Sequence, residues 1–240
     1  MTLYSKVTLK LHWGFSVSYP SVSKSKPSFL LPPPSTLKGA LSFGKYRGKD
    51  VINGKYSPAK EFEDMLAYAR YSDDTVASYS EDVVRNLVMY FQRPERRAER
   101  RYWFNIVPTG KVISPSGKII AVFITDQLSR EELEKLSWSI VRLGSKESIV
   151  SVEEVEIGEA KPISSRVKTR YYFPASASVD PSYAPLLVYV DFWEGGYEFG
   201  KEYTPVRYAI PLQRFPIASV EVAVDAKKAY EVGGEYVVVS

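Results

Sequence analysis

Five arginines fall within nine positions (Arg93, Arg96, Arg97, Arg100 and Arg101) and are followed directly by Tyr102 and Trp103. Guanidinium forks match phosphate oxygens, and flat rings beside them offer a stacking face to a nucleobase. Glu95 and Glu99 interrupt the run, so an exposed turn with internal ion pairs fits as well. A second candidate is Pro32-Pro33-Pro34-Ser35-Thr36-Leu37-Lys38-Gly39-Ala40-Leu41. Its prolines stiffen an extended approach, and Ser35 or Thr36 is expected to cap a helix beginning at Leu37. Lys38 then lies in the first turn beside unpaired N–H groups, a ready anion site. The third is Arg142-Leu143-Gly144-Ser145-Lys146-Glu147-Ser148. There Gly144 admits close backbone approach, and Arg142, Ser145, Lys146 and Ser148 offer donors, although a helix C-cap alone explains the glycine.

Other chemistry is poorly supported. His12 is the single histidine; it suits a general base or an RNA-stacking group, but no Ser or carboxylate is fixed around it by spacing. Glu131, Glu132 and Glu134 favour a helix dipole, and Glu153, Glu154 and Glu156 flank a strand. Cysteine is absent, which excludes disulfides, Cys-ligated zinc and thiol catalysis. The residues point to no catalytic group, no metal and no cofactor.

These segments need elements to hold them. Leu3, Val7, Leu9, Leu11, Trp13, Phe15, Val17 and Tyr19 are all odd-numbered, with mostly polar residues between, predicting one long strand bent or bulged at Gly14. Residues 20–34 read as a loop leading to the first helix. Ser57-Pro58 predicts a second short helix with Phe62, Leu66 and Ala69 on one face. Val83–Phe91 fits helix and strand equally. If it is a strand, the arginines tip a hairpin that returns through Tyr102–Val107. Lys118–Thr125 reads as a strand, with turns at Pro108-Thr109-Gly110 and Pro115-Ser116-Gly117. Ser129 and Glu132 form a capping box ahead of Leu133, Leu136, Ile140 and Leu143, and Gly144 is read as the stop. Ile149–Ile157 alternates but slips phase at Glu153-Glu154, which predicts a bulge. Beyond Lys161 only strands are expected, at Leu186–Trp193, Val206–Ile210, Val220–Val224 and Glu235–Val239, with at most a helical turn near Asp225–Tyr230.

The order predicts an α+β fold: a ferredoxin-like (RRM-like) βαββαβ domain with insertions over residues 1–158, then a β-rich carboxyl-terminal half over 159–240. Hydrophobic residues make up 45% and charged residues 25%, ordinary for a soluble globular chain. The net charge of +4 hides an asymmetry: residues 1–60 hold ten basic side chains against one acid, Asp50. That quarter suggests a polyanionic partner. No apolar run is long enough to span a membrane, and Lys6 and Lys10 interrupt any signal-like start, so the chain is expected to be cytoplasmic. Scarce Asn, Gln, Met and Cys fit a thermophilic source.

Read together, the proline-led stretch after a long first strand and the Arg-Leu-Gly-Ser-Lys-Glu-Ser loop after the second helix resemble the signatures of the CRISPR-associated protein 5 family of the RAMP superfamily. The composition and the variable carboxyl-terminal half look most like its archaeal type I-A branch. The resemblance implies a non-catalytic subunit of an antiviral Cascade surveillance complex that grips the 5′ handle of crRNA. It further implies that the subunit caps a filament of repeated backbone subunits, near the large subunit and target DNA. Handle contacts are then expected from Ser35, Thr36, Lys38, Gly39 and Lys45, and from Arg142, Gly144, Ser145, Lys146 and Ser148. Arg93, Arg96, Arg97, Arg100 and Arg101 would belong to a projecting thumb. Some relatives process precursor RNA with a Tyr/Lys/His group; no complete group aligns here, which leaves a metal-independent endoribonuclease as the rival reading and a protein-binding scaffold without RNA contact as a third.

Overall fold

The computed structural model describes residues 1–19, 25–49, 55–86, 94–96, 105–194, 197–198 and 205–240. β1 (Leu3–Leu11) keeps the period of two. Leu3, Val7, Leu9 and Leu11 are buried, with Ser5 among them facing Ser137 at 2.7 Å between hydroxyls. On the other face Lys6 pairs with Glu156 at 2.7 Å and Lys10 with Glu153 at 3.5 Å. The alternation does not continue to Tyr19 as one strand. At Gly14 (φ 145°) the chain turns, and β2 (Gly14–Phe15) pairs with a different sheet. A Cβ on Gly14 would collide with the Val112 carbonyl, so a close backbone approach is the cause of the expected bend.

α1 (Pro34–Tyr46) begins three residues earlier than Leu37, with Pro33 in the capping position and no side-chain cap. This corrects the Ser35/Thr36 cap. Proline's fixed φ suits the first helical position, where its missing N–H is no loss. A short 3-10 turn, Pro58–Phe62, replaces the expected second helix, with Ser57 accepting the Ala59 N–H. Leu66 and Ala69 lie instead in β3 (Leu66–Tyr71), whose residues from Ala67 to Tyr71 are all buried. A strand covered on both faces loses the alternation that would have betrayed it.

β4 (Ser78–Asn86) and β5 (Asn105–Ile113) pair from Ser78–Ile113 to Asn86–Asn105. Pro108-Thr109-Gly110, read as a turn, lies inside β5. The edge of β5 away from β4 takes β2 at Val112 and Ile113 and the segment at Lys26 further back: the Lys26 N–H donates to Pro108 O at 2.8 Å and the Gly110 N–H to Lys26 O at 2.7 Å. Proline tolerates such a position because its carbonyl still accepts. The turn at Pro115-Ser116-Gly117 is present, with Ser116 at φ 62°.

β6 (Lys118–Thr125) is followed by α2 (Arg130–Trp138), which carries the predicted capping box between Ser129 and Glu132. α2 ends well before Gly144; Ile140 and Leu143 are buried in the segment after it. β7 (Val150–Glu159) bulges where expected, since Thr8 opposes Glu154 while Leu9 opposes Val152. The main sheet is antiparallel with order β3-β6-β1-β7. α2 packs on β1 and β7, α1 on β3, and the helices touch each other.

The carboxyl-terminal half is built mostly of strands; a 3-10 turn over Pro181–Leu186, capped by the Asp180 carboxylate accepting the Ser182 N–H, departs from the all-strand expectation. β8 (Lys161–Ile163), β9 (Arg166–Thr169), β10 (Phe173–Pro174) and β11 (Ser178–Val179) are short. β12 (Leu187–Trp193) and β13 (Pro205–Arg214) form the longest pair. β14 (Ile217–Ser219), β15 (Val222–Asp225), β16 (Ala229–Val232) and β17 (Glu235–Val238) complete it. Residues 226–228 form a bend rather than a helical turn. One buried cluster joins Leu9, Leu37 and Phe123 to Tyr172, Phe192 and Tyr208; a smaller one around Phe173, Val222 and Val224 lies within the second half. The fold is a strand-rich α+β arrangement.

Candidate nucleic-acid interface

Far apart in sequence, the proline-led helix and the glycine loop meet in space. A cleft of about 380 Å³ is lined by Thr36, Gly39 and Phe43 of α1 and by Arg142, Gly144 and Lys146, with Ile149 at its side. Residues 141–150 form a small hairpin: the Val150 N–H donates to Val141 O at 3.0 Å and the Leu143 N–H to Ser148 O at 2.9 Å. This hairpin is clamped to the segment after β2. Gly144 bridges Ser16, and the Ser145 N–H donates to Ser16 O at 3.0 Å. Gly144 has φ 84°, and a Cβ there would lie 2.5 Å from Val17 Cγ2 and 2.6 Å from Ser16 O. Its role is thus close approach inside the loop rather than helix termination.

The candidate residues divide sharply. Arg142 and Lys146 are exposed at the cleft, and neither has an ion-pair partner among the described residues. Glu147 beside them stays ionised: its own backbone N–H and the Ser145 hydroxyl hold its carboxyl below the usual range. Trp13 Nε1 donates to Glu147 O at 2.6 Å, fixing the loop from below. Ser148 is fully buried; its Oγ accepts the Ser16 N–H at 3.0 Å and sits 2.8 Å from Ser145 Oγ. Both serines brace the loop, which corrects the expectation that Ser148 contacts RNA.

Lys38 is corrected likewise. It is only 6% exposed, and its ammonium donates to Glu63 O at 2.8 Å, tying α1 to the chain after the 3-10 turn. Burial lowers its pKa, with Glu194 and Glu63 opposing. The free donors expected near it are mostly missing: the Thr36 and Leu37 N–H groups both donate to Pro33 O, at 3.0 and 3.1 Å, and prolines have none. Lys38→Met keeps the stem and removes the charged donor. We expect about 1.5–3 kcal/mol lower stability in urea unfolding, with RNA affinity changed less than about threefold, or 0.65 kcal/mol. A large loss of affinity at unchanged stability would restore Lys38 as a contact.

Lys45 pairs with Glu61, which also accepts from the Tyr46 hydroxyl. Ser35 is half-buried at the helix start and does not line the cleft. Arg96 closes a 3-10 turn, Pro94–Arg96, within the connection between β4 and β5; Arg93, Arg97, Arg100 and Arg101 lie outside the described residues. His12 is exposed, with Nε2 2.8 Å from Ser151 Oγ. Among the described residues no group of three His, Cys, Asp or Glu is placed to hold a metal, and no helix is long and apolar enough to cross a membrane. The sequence reading missed Phe43 and Ile149. Phe43 was legible, seven residues from Thr36 and four from Gly39 on one helix face. Ile149 and the buttress at Ser16 depend on tertiary pairing, for which no local signal exists.

Fold and cleft together define a strand-rich α+β protein with a cationic recess between its first helix and a braced glycine loop. No family model matches the chain. It is 56% identical over 242 residues to the CRISPR system aCascade subunit Cas5 1 of Saccharolobus solfataricus, covering 99% of this chain and 100% of that relative. Identity to the CRISPR-associated protein Cas5 3 of the same organism is also 56%, with the same coverage. The chain therefore belongs to the Cas5 family of CRISPR-associated proteins. Its fold resembles that of a CRISPR protein from Archaeoglobus fulgidus, with TM-score 0.65, 26% identity and 99% of both chains covered. It also resembles, in fold alone, a chain of a CRISPR RNA-guided surveillance complex, with TM-score 0.51, 11% identity and 91% of both chains covered.

Proposed function

We propose that this protein is a non-catalytic RNA-binding subunit of a type I-A Cascade complex, holding the 5′ handle of crRNA between α1 and the 142–149 loop. In this reading it works in the cytoplasm of a thermophilic archaeon and caps a filament of repeated backbone subunits, close to the large subunit and target DNA. The observation that carries it is the convergence of two distant motifs on one cleft whose Arg142 and Lys146 make no ion pair among the described residues. Unpaired cations beside a half-buried ring suit a phosphate chain with a stacked base. The main sheet supports the reading: β1-α1-β3-β6-α2-β7, with order β3-β6-β1-β7, fits the ferredoxin-like βαββαβ arrangement, with the β4–β5 excursion as its insertion.

The test is binding of 5′-labelled crRNA by the full chain assembled with its partner subunits. Arg142→Glu with Lys146→Glu is expected to weaken binding at least about 30-fold, roughly 2 kcal/mol. The slope of log affinity against log salt should fall by about 1.4, the value for two lost phosphate contacts on a single strand. Wild-type affinity and slope in the double variant would sink the proposal. Site-specific cleavage of repeat RNA in EDTA, abolished by His12→Ala, would replace it with the endoribonuclease reading.

A further inference from the structure

Gly39 sits six residues into a thirteen-residue helix, where glycine is disfavoured relative to alanine. Each of the other described glycines has a structural reason. Gly14, Gly48, Gly144, Gly233 and Gly234 have positive φ. A Cβ on Gly110, Gly117 or Gly158 would run into a neighbour, and one on Gly44 would strike Ser139 where α1 meets α2. Gly39 alone has an ordinary φ and no described atom within 4 Å of its would-be Cβ. Yet it lines the cleft. Packing within the described chain therefore gives no reason for a glycine there, and a ligand that needs the bare helix backbone does.

We propose that the RNA crosses α1 in contact with the helix backbone at Gly39 and continues along the helix to a second recess bearing Lys49 and Lys135. This rests on the RNA-binding reading above and extends its site. The positions beyond Gly39 favour it. Phe43 and Arg47 follow at intervals of four, on one line along the helix, with the guanidinium 6.0 Å from the ring centre. The ring offers a base its stacking partner and the guanidinium a phosphate fork. From Gly39 to Arg47 the helix rises about 12 Å.

The second recess, about 300 Å³ between the helices, is lined by Gly44, Lys45, Lys49, Lys135, Leu136 and Ser139, together with Leu128 and Glu132. Lys45 is neutralised by Glu61, but Lys49 and Lys135 have no ion-pair partner among the described residues. Glu132 is engaged with Ser129, accepting its N–H at 3.2 Å and its hydroxyl at 3.0 Å. Beyond the Lys45–Glu61 pair, Lys49 and Lys135, which make no ion pair among the described residues, outnumber the one ionised carboxylate of the recess, Glu132, which favours a phosphate chain over an acidic protein segment. Both recesses are lined by residues of α1: Gly39 and Phe43 in the first, Gly44, Lys45 and Lys49 in the second.

Gly39→Ala separates fold from contact. Its melting temperature should rise by about 2 °C, because alanine fits the helix better, while crRNA affinity falls at least tenfold in the assembled complex. Gly44→Ala, which meets Ser139, should instead melt lower. Lys49→Glu with Lys135→Glu should lower the salt slope by about 1.4. If Gly39→Ala binds as wild type, or the lysine pair leaves the slope unchanged, the track is overturned even when the Arg142/Lys146 double variant loses binding. If that double variant also binds normally, the underlying RNA-binding reading falls with it.

Discussion

Gly144→Ala is expected to lower stability by about 2–5 kcal/mol and to abolish measurable crRNA binding at concentrations that saturate the wild type. Two penalties add. A left-handed backbone costs a residue with a Cβ about 1–2 kcal/mol, and pressing that Cβ onto Val17 Cγ2 and the Ser16 carbonyl costs about 1–3 kcal/mol more. The two contacts differ in what they can do. The valine methyl can rotate away, but Ser16 O already accepts the Ser145 N–H and belongs to the clamped backbone. Relief therefore comes from the loop lifting off, which carries Arg142 and Lys146 away from α1. Gly234→Ala is the control: its φ of 76° is nearly the same, but no described atom lies within 4 Å, so only the conformational penalty applies. Thermal unfolding and crRNA titration check both. A Gly144→Ala protein as stable as Gly234→Ala, with wild-type affinity, would show that the loop tolerates displacement.

The frame of this protein is legible where burial falls on one face only. β1 shows its alternation because Lys6 and Lys10 reach acids on β7 while Val7 and Leu9, on the odd-numbered face, enter the core. The capping box of α2 and the bulge in β7 are likewise local patterns with local causes. Legibility fails where tertiary contact supplies the reason. Pro108 and Gly110 look like a turn, yet they are an edge that receives the Lys26 backbone. β3 is buried on both faces and has no period to read. At the cleft, residues of both motifs form the walls, but their side chains divide between the cleft and the interior. Lys38 and Ser148 look like donors to a ligand and instead hold the walls in place, while Arg142 and Lys146 keep their charges free of ion pairs among the described residues. Lys38 turns inward onto a carbonyl 25 residues away, Glu63 O, a contact that no local pattern announces.

Arg70 tests how the carboxyl-terminal half is fixed to the sheet that carries the cleft. It lies on β3, with a side chain only 9% exposed, and pairs with Glu235 on β17; Nη1 donates to Tyr71 O and Asp73 Oδ1, both at 2.9 Å. Glu235 in turn accepts the Tyr171 hydroxyl at 2.8 Å, and the guanidinium lies 5.6 Å from the Tyr171 ring centre. Arg70→Met keeps the stem but strands the Glu235 carboxylate and the Tyr71 carbonyl. Breaking a buried pair from one side costs about 3–5 kcal/mol. We expect about 3 kcal/mol, the low end, because Glu235 retains 23% side-chain exposure and can recover some hydration. Removing both charges with Arg70→Met and Glu235→Met should cost less than the two single changes summed, since neither partner is then left alone. Amide exchange should quicken first in β16 and β17 and leave the capping box of α2 untouched. A double variant whose loss equals the sum of the single ones would mean that the two charges act independently, and that the halves are held by their other contacts, among them Phe29 on Phe192, Tyr68 on Tyr172 and the Ala77–Ile217 backbone pair.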